Sequence, residues 1–525
     1  MNRQGRPTTP QSAASAERST FTGNRALQIE EPLLFEVGRS DVTGVDFDEP
    51  AKVKDRLGGL ARNKSIGLVG LAEPEAMRHF VRLSQKNYAI DMGVYPLGSC
   101  TMKHNPRLNE KVARMAGFAD IHPLQPESTV QGALELIDRL AHWLKTMTGM
   151  PAVAMTPKAG AHGELCGMMA IKAALDARGE KRSIVLVPES AHGTNPATAA
   201  LLGYTVVSIP AREDGTVSPD AVKERLSDDV AAIMLTNPNT CGIFERDIVK
   251  IAEAVHEAGA YFYCDGANFN AIVGKVRPGD LGIDCMHINL HKTFSTPHGG
   301  GGPGAGPVVF SKALAPFIPV PFVAVDGDTF KLVEKRAAAA EAGGAEGAQS
   351  YGRMTAFNGQ MGMFTRAMTY MMSHGSDGMR QASEDAVLNA NYVRVCLMDL
   401  LSLPFGDTHC MHEALFDDSF LKDTGVTTLD FAKAMIDEGY HPMTMYFPLV
   451  VHGALLIEPT ESESKAGLDL FIAALRDLAM AAKAGDKERF TGAPHFAPRK
   501  RLDETGAARN PVLRWTPPQP AQAAE

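Results

Sequence analysis

Short apolar runs alternate with amphipathic segments through the middle third of the chain. Segments with helical periodicity, at Pro219–Leu226 and Asp247–Ala258, lie between several of these runs. Strands that alternate with helices indicate a mostly parallel sheet covered on both faces. Ligands bind such sheets at the carboxyl ends of the strands, so functional residues should follow the runs. The runs are rich in β-branched and aromatic residues and predict strands at Ser183–Val187, Thr205–Ile209, Ala231–Leu235, Ala260–Cys264 and Met286–Leu290.

The remaining pattern predicts a smaller α+β domain towards the C-terminus. Residues 378–402 and Thr428–Glu438 have helical periodicity, and Ala454–Glu458 is typical of a strand. A low-complexity Ala/Gly/Glu segment at 337–348 predicts a surface loop or short helix. The predicted organisation is a disordered extension at 1–25, an N-terminal segment at 26–125, a large domain at 126–375, a small C-terminal domain at 376–490 and an arm at 491–525.

Composition and charge narrow the function classes. The 525 residues are 44% hydrophobic and 22% charged, as in an ordinary globular enzyme, and the net charge is −9. An acidic chain is not expected to bind nucleic acid or an anionic membrane as its main partner. No apolar run reaches the ~18 residues that span a membrane. Seven cysteines, an odd number without C-x-x-C spacing, predict free thiols in a reducing, cytoplasmic compartment.

The strongest chemical signal is Lys292. It follows the last predicted strand within the sequence NLHKTF and precedes four glycines, Gly299–Gly302, set between His298 and Pro303. A lysine that forms a Schiff base needs a shielded site and must be neutral when it attacks, and burial favours the neutral amine. An isolated Lys-Thr pair would be read as surface, but the glycine run indicates close packing around a flat cofactor. These features favour a pyridoxal-phosphate (PLP) lysine.

Asp265 ends the run at Ala260–Cys264 and begins the sequence DGAN, which closes with Asn268. A carboxylate at a strand end can hold a proton on the pyridine nitrogen of PLP and so make the ring an electron sink. A turn-forming Asp-Gly pair is the commoner interpretation of such a site taken alone. The pairing with Lys292 one strand later favours the cofactor role.

Two further motifs follow predicted strands or precede helices. Ala161 and His162 lie in AGAHGE ahead of the helical pattern Leu165–Leu175, where free backbone N–H groups can hold a phosphate. His192 lies in AHGTNPA after the run at Ser183–Val187, where an imidazole could stack on a cofactor ring. An ordinary helix start and a loop histidine are the respective alternatives.

Other chemistries find less support. The glycine run lacks the lysine of a P-loop and comes too late in the sheet for a dinucleotide fingerprint. No cluster has metal-ligand spacing, so we expect no metal, and no Gly-x-Ser-x-Gly elbow occurs. The segment LGSCTMK, residues 97–103, has no chemistry readable from its spacing, and its Cys100 is more often an inert thiol than a reactive one.

Together these motifs resemble the P-protein of the glycine cleavage system, the PLP-dependent glycine decarboxylase. The resemblance covers roughly residues 80 to 465. Single-chain members carry two homologous halves, so a half-length chain with the Lys292 motif resembles subunit 2 of the two-subunit form. The matching motifs are LGSCTMK at 97–103, AGAHGE at 159–164, AHGTNPA at 191–197, LTNPN at 235–239, DGAN at 265–268, NLHKTFSTPHGGGGPG at 289–304, GYHPMTMYFP at 439–448 and IEPTES at 457–462.

The resemblance implies an aspartate-aminotransferase-like PLP fold, with a parallel-rich large domain and a small C-terminal domain. It implies that Lys292 carries PLP, that Asp265 faces the pyridine nitrogen and that His192 stacks on the ring. Ala161 and His162 would lie at the phosphate, and Asn268 and His291, from the same motifs, would be further cofactor contacts.

The implied reaction is decarboxylation of glycine, with transfer of the aminomethyl group to the lipoyl disulfide of the H-protein. The implied partners are subunit 1, which lacks the lysine, in a heterotetramer, the lipoylated H-protein, and functionally the T-protein and L-protein. Two alternatives stay open at this point: another PLP decarboxylase or aminotransferase with the same fold, and a non-catalytic partner subunit. The group that binds the glycine carboxylate is not readable, although Arg353 is a candidate.

Overall fold

A computed structural model describes residues 31–298, 304–336 and 346–516, except 46, 49, 50, 52, 55, 65 and 498. The predicted extension at 1–25, the glycine run at 299–302 and most of the Ala/Gly-rich segment lie outside the described residues. The helices are α1 (Leu34–Val37), α2 (Glu73–Lys86), α3 (Arg107–Ala113), α4 (Ala116–Ala119), α5 (Gln131–Thr148), α6 (Gly160–Ala177), α7 (Thr194–Leu201), α8 (Pro219–Lys223), α9 (Ile248–Glu257), α10 (Leu290–Thr293), α11 (Met361–Leu397), α12 (Thr428–Asp437), α13 (Lys465–Lys483), α14 (Lys487–Thr491) and α15 (Glu504–Arg509). The strands are β1 (Ala152–Ala154), β2 (Ile184–Pro188), β3 (Thr205–Ile209), β4 (Val230–Thr236), β5 (Tyr261–Asp265), β6 (Cys285–His287), β7 (Val308–Phe310), β8 (Phe322–Asp326), β9 (Thr329–Val333), β10 (Ala414–Phe416), β11 (Thr444–Met445) and β12 (Leu455–Ile457).

A seven-stranded sheet forms the centre of the large domain, in the order β1-β7-β6-β5-β4-β2-β3. The five strands from β6 to β3 are mutually parallel, and β7 and β1 join the sheet in antiparallel pairings. The parallel strands β2, β4, β5 and β6 are the continuous apolar runs of the sequence, as expected where helices cover both faces. The predicted mostly parallel sheet is therefore confirmed.

Alternate side chains of these strands enter two separate cores. Leu186, Ile233 and Phe262 pack on one face of the sheet with apolar residues of α5 and α9. Met234 and Tyr263 point to the other face, where α6 packs. The period of two along each strand thus sends one apolar set to each layer of helices.

Two predicted elements had wrong boundaries. The strand predicted at Met286–Leu290 ends at His287. The chain keeps backbone hydrogen bonds from Ile288 to Pro307 and from Leu290 to Ala305 while it turns into α10. Ile288 and Leu290 are fully buried without belonging to a strand, so their apolar character imitated one. The helix predicted at 378–402 ends at Leu397 and starts at Met361, because its first half is buried on most sides and shows little periodic contrast.

The residues that follow α11 form a separate antiparallel sheet, in the order β10-β12-β11. Helix α11 leads into it and is interrupted at Gly375, whose φ of 63° is left-handed. The kink coincides with the predicted boundary at 375/376, although the five-part domain division itself stays a prediction. Contact density divides the chain into two units, 1–88 with 436–439 and 486–525, and 89–435 with 440–485.

The smaller unit is held by contacts of its own. Glu31 accepts hydrogen bonds from Arg82 at 2.6 and 2.7 Å and lies 3.0 Å from His79 Nδ1 on α2. Phe35 stacks on Trp515, with ring centroids 4.8 Å apart. In the described part of the chain, no helix is long and apolar enough to cross a membrane.

Candidate active site

Lys292 lies on the short helix α10, which follows β6, and its side chain is buried. Its Nζ donates a hydrogen bond to the carbonyl oxygen of Ser99 at 2.8 Å. Ser99 has a left-handed φ of 63°, and its backbone N–H donates to Glu413 Oε2 at 2.7 Å. The segment at 97–103, whose chemistry was unreadable in sequence, therefore provides the contact that holds the lysine amine.

A second, fully buried lysine fixes the end of α10. Lys103 Nζ donates to the carbonyl oxygen of Thr293 and to Asn270 Oδ1, both at 2.9 Å, and pairs with Glu461 Oε1 at 2.6 Å. Burial alone would lower the pKa of Lys103, but Glu461 and Tyr370 outweigh that effect and raise it. Through its ion pair and hydrogen bonds, Lys103 therefore links four segments that are distant in sequence.

Asp265 ends β5 and is almost completely buried. Its Oδ1 accepts from the Ala267 N–H at 2.9 Å and lies 3.4 Å from His287 Nε2. With its amide nitrogen turned towards the two carboxylates, Asn195 donates to Asp265 Oδ2 at 3.2 Å and to Glu164 Oε2 at 2.9 Å. Asp265 thus keeps one neutral donor on each oxygen.

Glu164 is the acidic neighbour of Asp265 and lies in the second turn of α6. Thr194 Oγ1 donates to it at 2.9 Å. Burial, and then the charge of Asp265, raise the pKa of Glu164 to about 8. Glu164 therefore holds a proton near neutral pH, and a donor or cation beside Asp265 is favoured.

The start of α6 lets neighbouring groups approach its backbone closely. The first N–H groups of a helix have no intrahelical partners, and no side chain caps those of α6. A Cβ on Gly160 would lie 3.1 Å from Asn289 Oδ1 and 3.4 Å from His287 Nε2. Ala161 is exposed and His162 is half-buried, with its Nδ1 accepting from the Lys158 N–H at 3.2 Å. Uncapped N–H groups at a helix start suit an anion, and the phosphate contacts predicted for Ala161 and His162 stay a prediction.

The predicted histidines differ in their surroundings. His192 is exposed and its ring lies 5.2 Å from that of Phe447. The ring of His291 packs edge-on against His298 at 5.0 Å, and burial lowers the pKa of His291 to about 3. Burial lowers the pKa values of His192 and His287, while the charge of Asp265 acts to raise them and that of Lys292 to lower them.

Two candidates have structural contacts. Asn268 donates from Nδ2 to the carbonyl oxygen of Pro238 at 2.9 Å, which ties the DGAN turn to the loop after β4. Arg353 lies at the surface and pairs with Glu334 at 3.0 Å, so its charge is already matched. Cys100 is partly buried, 3.5 Å from His298 Nε2, and burial raises the pKa of its thiol, which argues against a reactive thiolate.

Sequence reasoning missed several residues of this site. Asn195, Glu164 and His287 lie inside or beside the quoted motifs and could have been found from them. Ser99 and Glu458 also lie in quoted motifs, but their contacts, like that of Glu413, could not be predicted, because they join residues more than 300 positions apart. Pairing of that kind is set by the fold and leaves no local pattern.

These residues fit PLP. A buried lysine amine, a buried carboxylate at a strand end and an uncapped helix start opened by Gly160 are the three groups that the cofactor's aldehyde, pyridine nitrogen and phosphate require. Among the described residues, His287 Nε2 and Asn289 Oδ1 are buried without a hydrogen-bond partner. Unsatisfied polar atoms at this position are expected where a polar ligand binds.

Two family models match the chain. Glycine dehydrogenase, C-terminal domain, matches residues 382–493, and aminotransferase class-V matches residues 163–334. A probable glycine dehydrogenase (decarboxylating) subunit 2 of Caulobacter vibrioides is 67% identical over 521 residues, covering 98% of each chain. Its counterpart from Kosmotoga olearia is 47% identical over 491 residues, covering 92% of this chain and 99% of the relative.

Solved structures resemble the fold. A crystal structure of glycine decarboxylase (P-protein) of the glycine cleavage system, in inhibitor-bound form, matches with a TM-score of 0.65 at 20% identity, covering 80% of this chain and 92% of the other. A glutamate decarboxylase of Lactobacillus brevis matches with a TM-score of 0.60 at 14% identity, covering 83% and 96%. At these identities the likeness concerns the fold alone.

Proposed function

This chain belongs to the glycine dehydrogenase (decarboxylating) subunit 2 family, and on that premise we propose that Lys292 and Asp265 are the residues through which it binds and uses its cofactor. It is a PLP-dependent enzyme of the glycine cleavage system that decarboxylates glycine. The observation that carries the proposal is that Asp265 and Lys292 are both buried at or just after the carboxyl ends of the neighbouring parallel strands β5 and β6, beside the uncapped start of α6.

The bound cofactor supplies an electron sink for the electron pair left when glycine loses CO2. Lys292 would hold its aldehyde, and the N–H groups at Gly160, Ala161 and His162 would hold its phosphate. His192 would lie against the ring, and His291 and Asn268 would support the surrounding loops.

Asp265 would hold a proton on the pyridine nitrogen. Its hydrogen-bond donors among the described residues, the Ala267 N–H and Asn195, are neutral, and the raised pKa of the neighbouring Glu164 favours protonated Glu164 near neutral pH. One full carboxylate charge is then left to face a cationic nitrogen. Ser99 and Lys103 are positioning residues, because they hold the amine of Lys292 and the end of α10.

We propose that the aminomethyl group passes to the lipoyl disulfide of the H-protein. The bond from the glycine α-carbon to its carboxylate breaks, a carbon–sulfur bond forms, and the second sulfur leaves as a thiol with uptake of one proton. Subunit 1, without a cofactor lysine, would complete the enzyme as a heterotetramer, and the T-protein and L-protein would take the later steps. The free cysteines of the described chain suit a reducing, cytoplasmic location.

The test is borohydride reduction of the purified chain with PLP, followed by peptide mass spectrometry. We expect the pyridoxyl group on Lys292, and we expect Lys292→Ala to retain its melting temperature but to lose glycine-dependent CO2 exchange in the presence of the partner subunit. Lys275→Ala is the matched control, because Lys275 makes only a surface ion pair with Glu384. Label on another lysine would overturn the assignment of Lys292.

A further inference from the structure

Three side chains outside the proposed cofactor contacts form a fully buried cluster in the C-terminal sheet. His412 and Glu413 immediately precede β10, and Glu458 immediately follows β12. These strands are antiparallel with Ala414 opposite Ile457, so Glu413 and Glu458 are the next pair in the same register. One ligand atom from each of the three residues lies within 4.8 Å of the others.

Each glutamate has one oxygen fixed and one free. Ser99 N–H donates to Glu413 Oε2 at 2.7 Å, and Thr101 Oγ1 donates to Glu458 Oε1 at 2.5 Å. Glu413 Oε1, Glu458 Oε2 and both nitrogens of His412 have no hydrogen-bond partner anywhere in the described ranges. His412 Nε2 is 4.0 Å from Glu458 Oε1, too far for a hydrogen bond.

This arrangement is unfavourable unless something occupies its centre. Like charges directly opposite on paired strands destabilise a sheet, and each buried oxygen or nitrogen that lacks a partner adds an unfavourable desolvation cost. A single species that binds all three groups must take lone pairs from two carboxylate oxygens and one imidazole nitrogen, and an anion does not do so. A cation satisfies all three.

We propose that His412, Glu413 and Glu458 bind a divalent transition-metal cation such as Zn²⁺ or Mn²⁺. One imidazole and two carboxylates suit these ions better than Mg²⁺ or Ca²⁺, which prefer oxygen ligands only. The hydrogen bonds from Ser99 and Thr101 are the outer contacts that orient carboxylate ligands in metal sites.

The cation would also act on the lysine that carries the cofactor. Ser99 donates its N–H to Glu413 and accepts the amine of Lys292 on its carbonyl, so the metal would fix the residue that holds Lys292. Its role is therefore positioning rather than chemical. Loss of the metal should loosen this segment and lower the thermal stability of the holoenzyme.

The test uses the full chain with PLP bound, purified without added metal and after dialysis against a chelator. Metal content is measured by inductively coupled plasma mass spectrometry, and melting temperature is measured with and without ZnCl2 or MnCl2. We expect a stoichiometric divalent metal, a lower melting temperature after chelation, and recovery of that temperature on adding one of the two salts.

Variants separate the cluster from nonspecific binding. His412→Ala and Glu458→Gln should lose both the bound metal and the stabilisation by added salt. Glu245→Gln should keep both, because Glu245 is an equally buried glutamate whose oxygens accept from Val217 N–H and Asn239 Nδ2.

A wild-type chain that carries no divalent metal, and whose melting temperature is unchanged by either salt, would overturn the proposal. The two glutamates would then share a proton, and Glu458→Gln would leave the chain as stable as the wild type or more stable. Metal that His412→Ala and Glu458→Gln both retain would overturn it equally. The metal content of the wild-type chain is measured directly, so the proposal can still be tested if a variant fails to fold.

Discussion

Single residues decide how charge is distributed around Asp265. Asp265→Asn should still bind PLP but lose glycine decarboxylation by roughly 10²-fold or more, the size usual when a charge that stabilises a transition state is removed. A neutral amide does not stabilise a protonated pyridine nitrogen. Cofactor absorbance and CO2 release, measured on the same preparation, separate binding from turnover.

Asp284→Asn is the matched control for this substitution. Asp284 is also buried but lies at the amino end of β6, where it binds the Phe262 N–H and His256. We expect this variant to keep its turnover once folded. Near-normal decarboxylation by Asp265→Asn would show that Asp265 only shapes the turn after β5.

Glu164 makes stability depend on pH. Its pKa is raised from 4.5 to about 8 in the folded chain by burial and by Asp265, so the folded state binds a proton that the unfolded state has lost across that range. The free energy of unfolding therefore falls as pH rises from about 4.5 to about 8 because of this group. Glu164→Gln should flatten that fall, and the variant should gain stability relative to wild type at pH 8.

Melting temperatures measured between pH 5 and pH 8 test this expectation. Glu257→Gln, at an exposed position on α9, controls for the simple loss of a negative charge. A Glu164→Gln curve parallel to that of wild type would contradict the raised pKa of Glu164.

At the scale of elements, Lys103 connects α10, α11 and the segment after β12. Lys103→Met leaves the partly buried Glu461 without its cation, and breaking a pair that is buried on the lysine side should cost up to about 3–5 kcal/mol. Because Lys103 also holds the carbonyl of Thr293, the variant should bind PLP more weakly. Unfolding by denaturant and titration with PLP measure the two effects separately.

Lys275→Met provides the comparison for Lys103→Met. Its surface pair with Glu384 is worth about 0–1 kcal/mol, so little change is expected. Equal destabilisation by the two substitutions would mean that the contacts of Lys103 do not stabilise the packing of these elements.

At the scale of the whole molecule, we predict that the chain alone is inactive or nearly so. PLP sites of this fold usually lie at subunit interfaces, and a chain resembling one half of a two-lobed protein must recover the other half from a partner. Adding subunit 1 should raise glycine decarboxylation with lipoylated H-protein, shift the cofactor spectrum and raise the melting temperature by mass action.

A homogeneous preparation of this chain gives the decisive measurement. If its decarboxylation with lipoylated H-protein is already maximal and subunit 1 changes nothing, the chain is a self-sufficient homo-oligomer. The requirement for subunit 1 would then be wrong, while the assignment of Lys292 would stand.

The sequence by itself determined what depends on local pattern. Continuous apolar runs predicted the strands of the parallel sheet, since burial on both faces removes polar positions. Strand ends then indicated Asp265 and Lys292, and the motifs around them carried the family resemblance. The predicted strand end was wrong at Ile288 and Leu290, which are buried and donate backbone hydrogen bonds to Pro307 and Ala305 but lie outside the regular strand.

Tertiary structure alone decided which distant residues meet. Nothing near residue 99 predicts that Ser99 holds the amine of Lys292, or that Lys103 ties the end of α10. Likewise, Glu413 and Glu458 become neighbours only because β10 and β12 pair in one register. Propensity and periodicity act over a few residues, whereas these contacts join segments hundreds of positions apart and form only when the chain has folded.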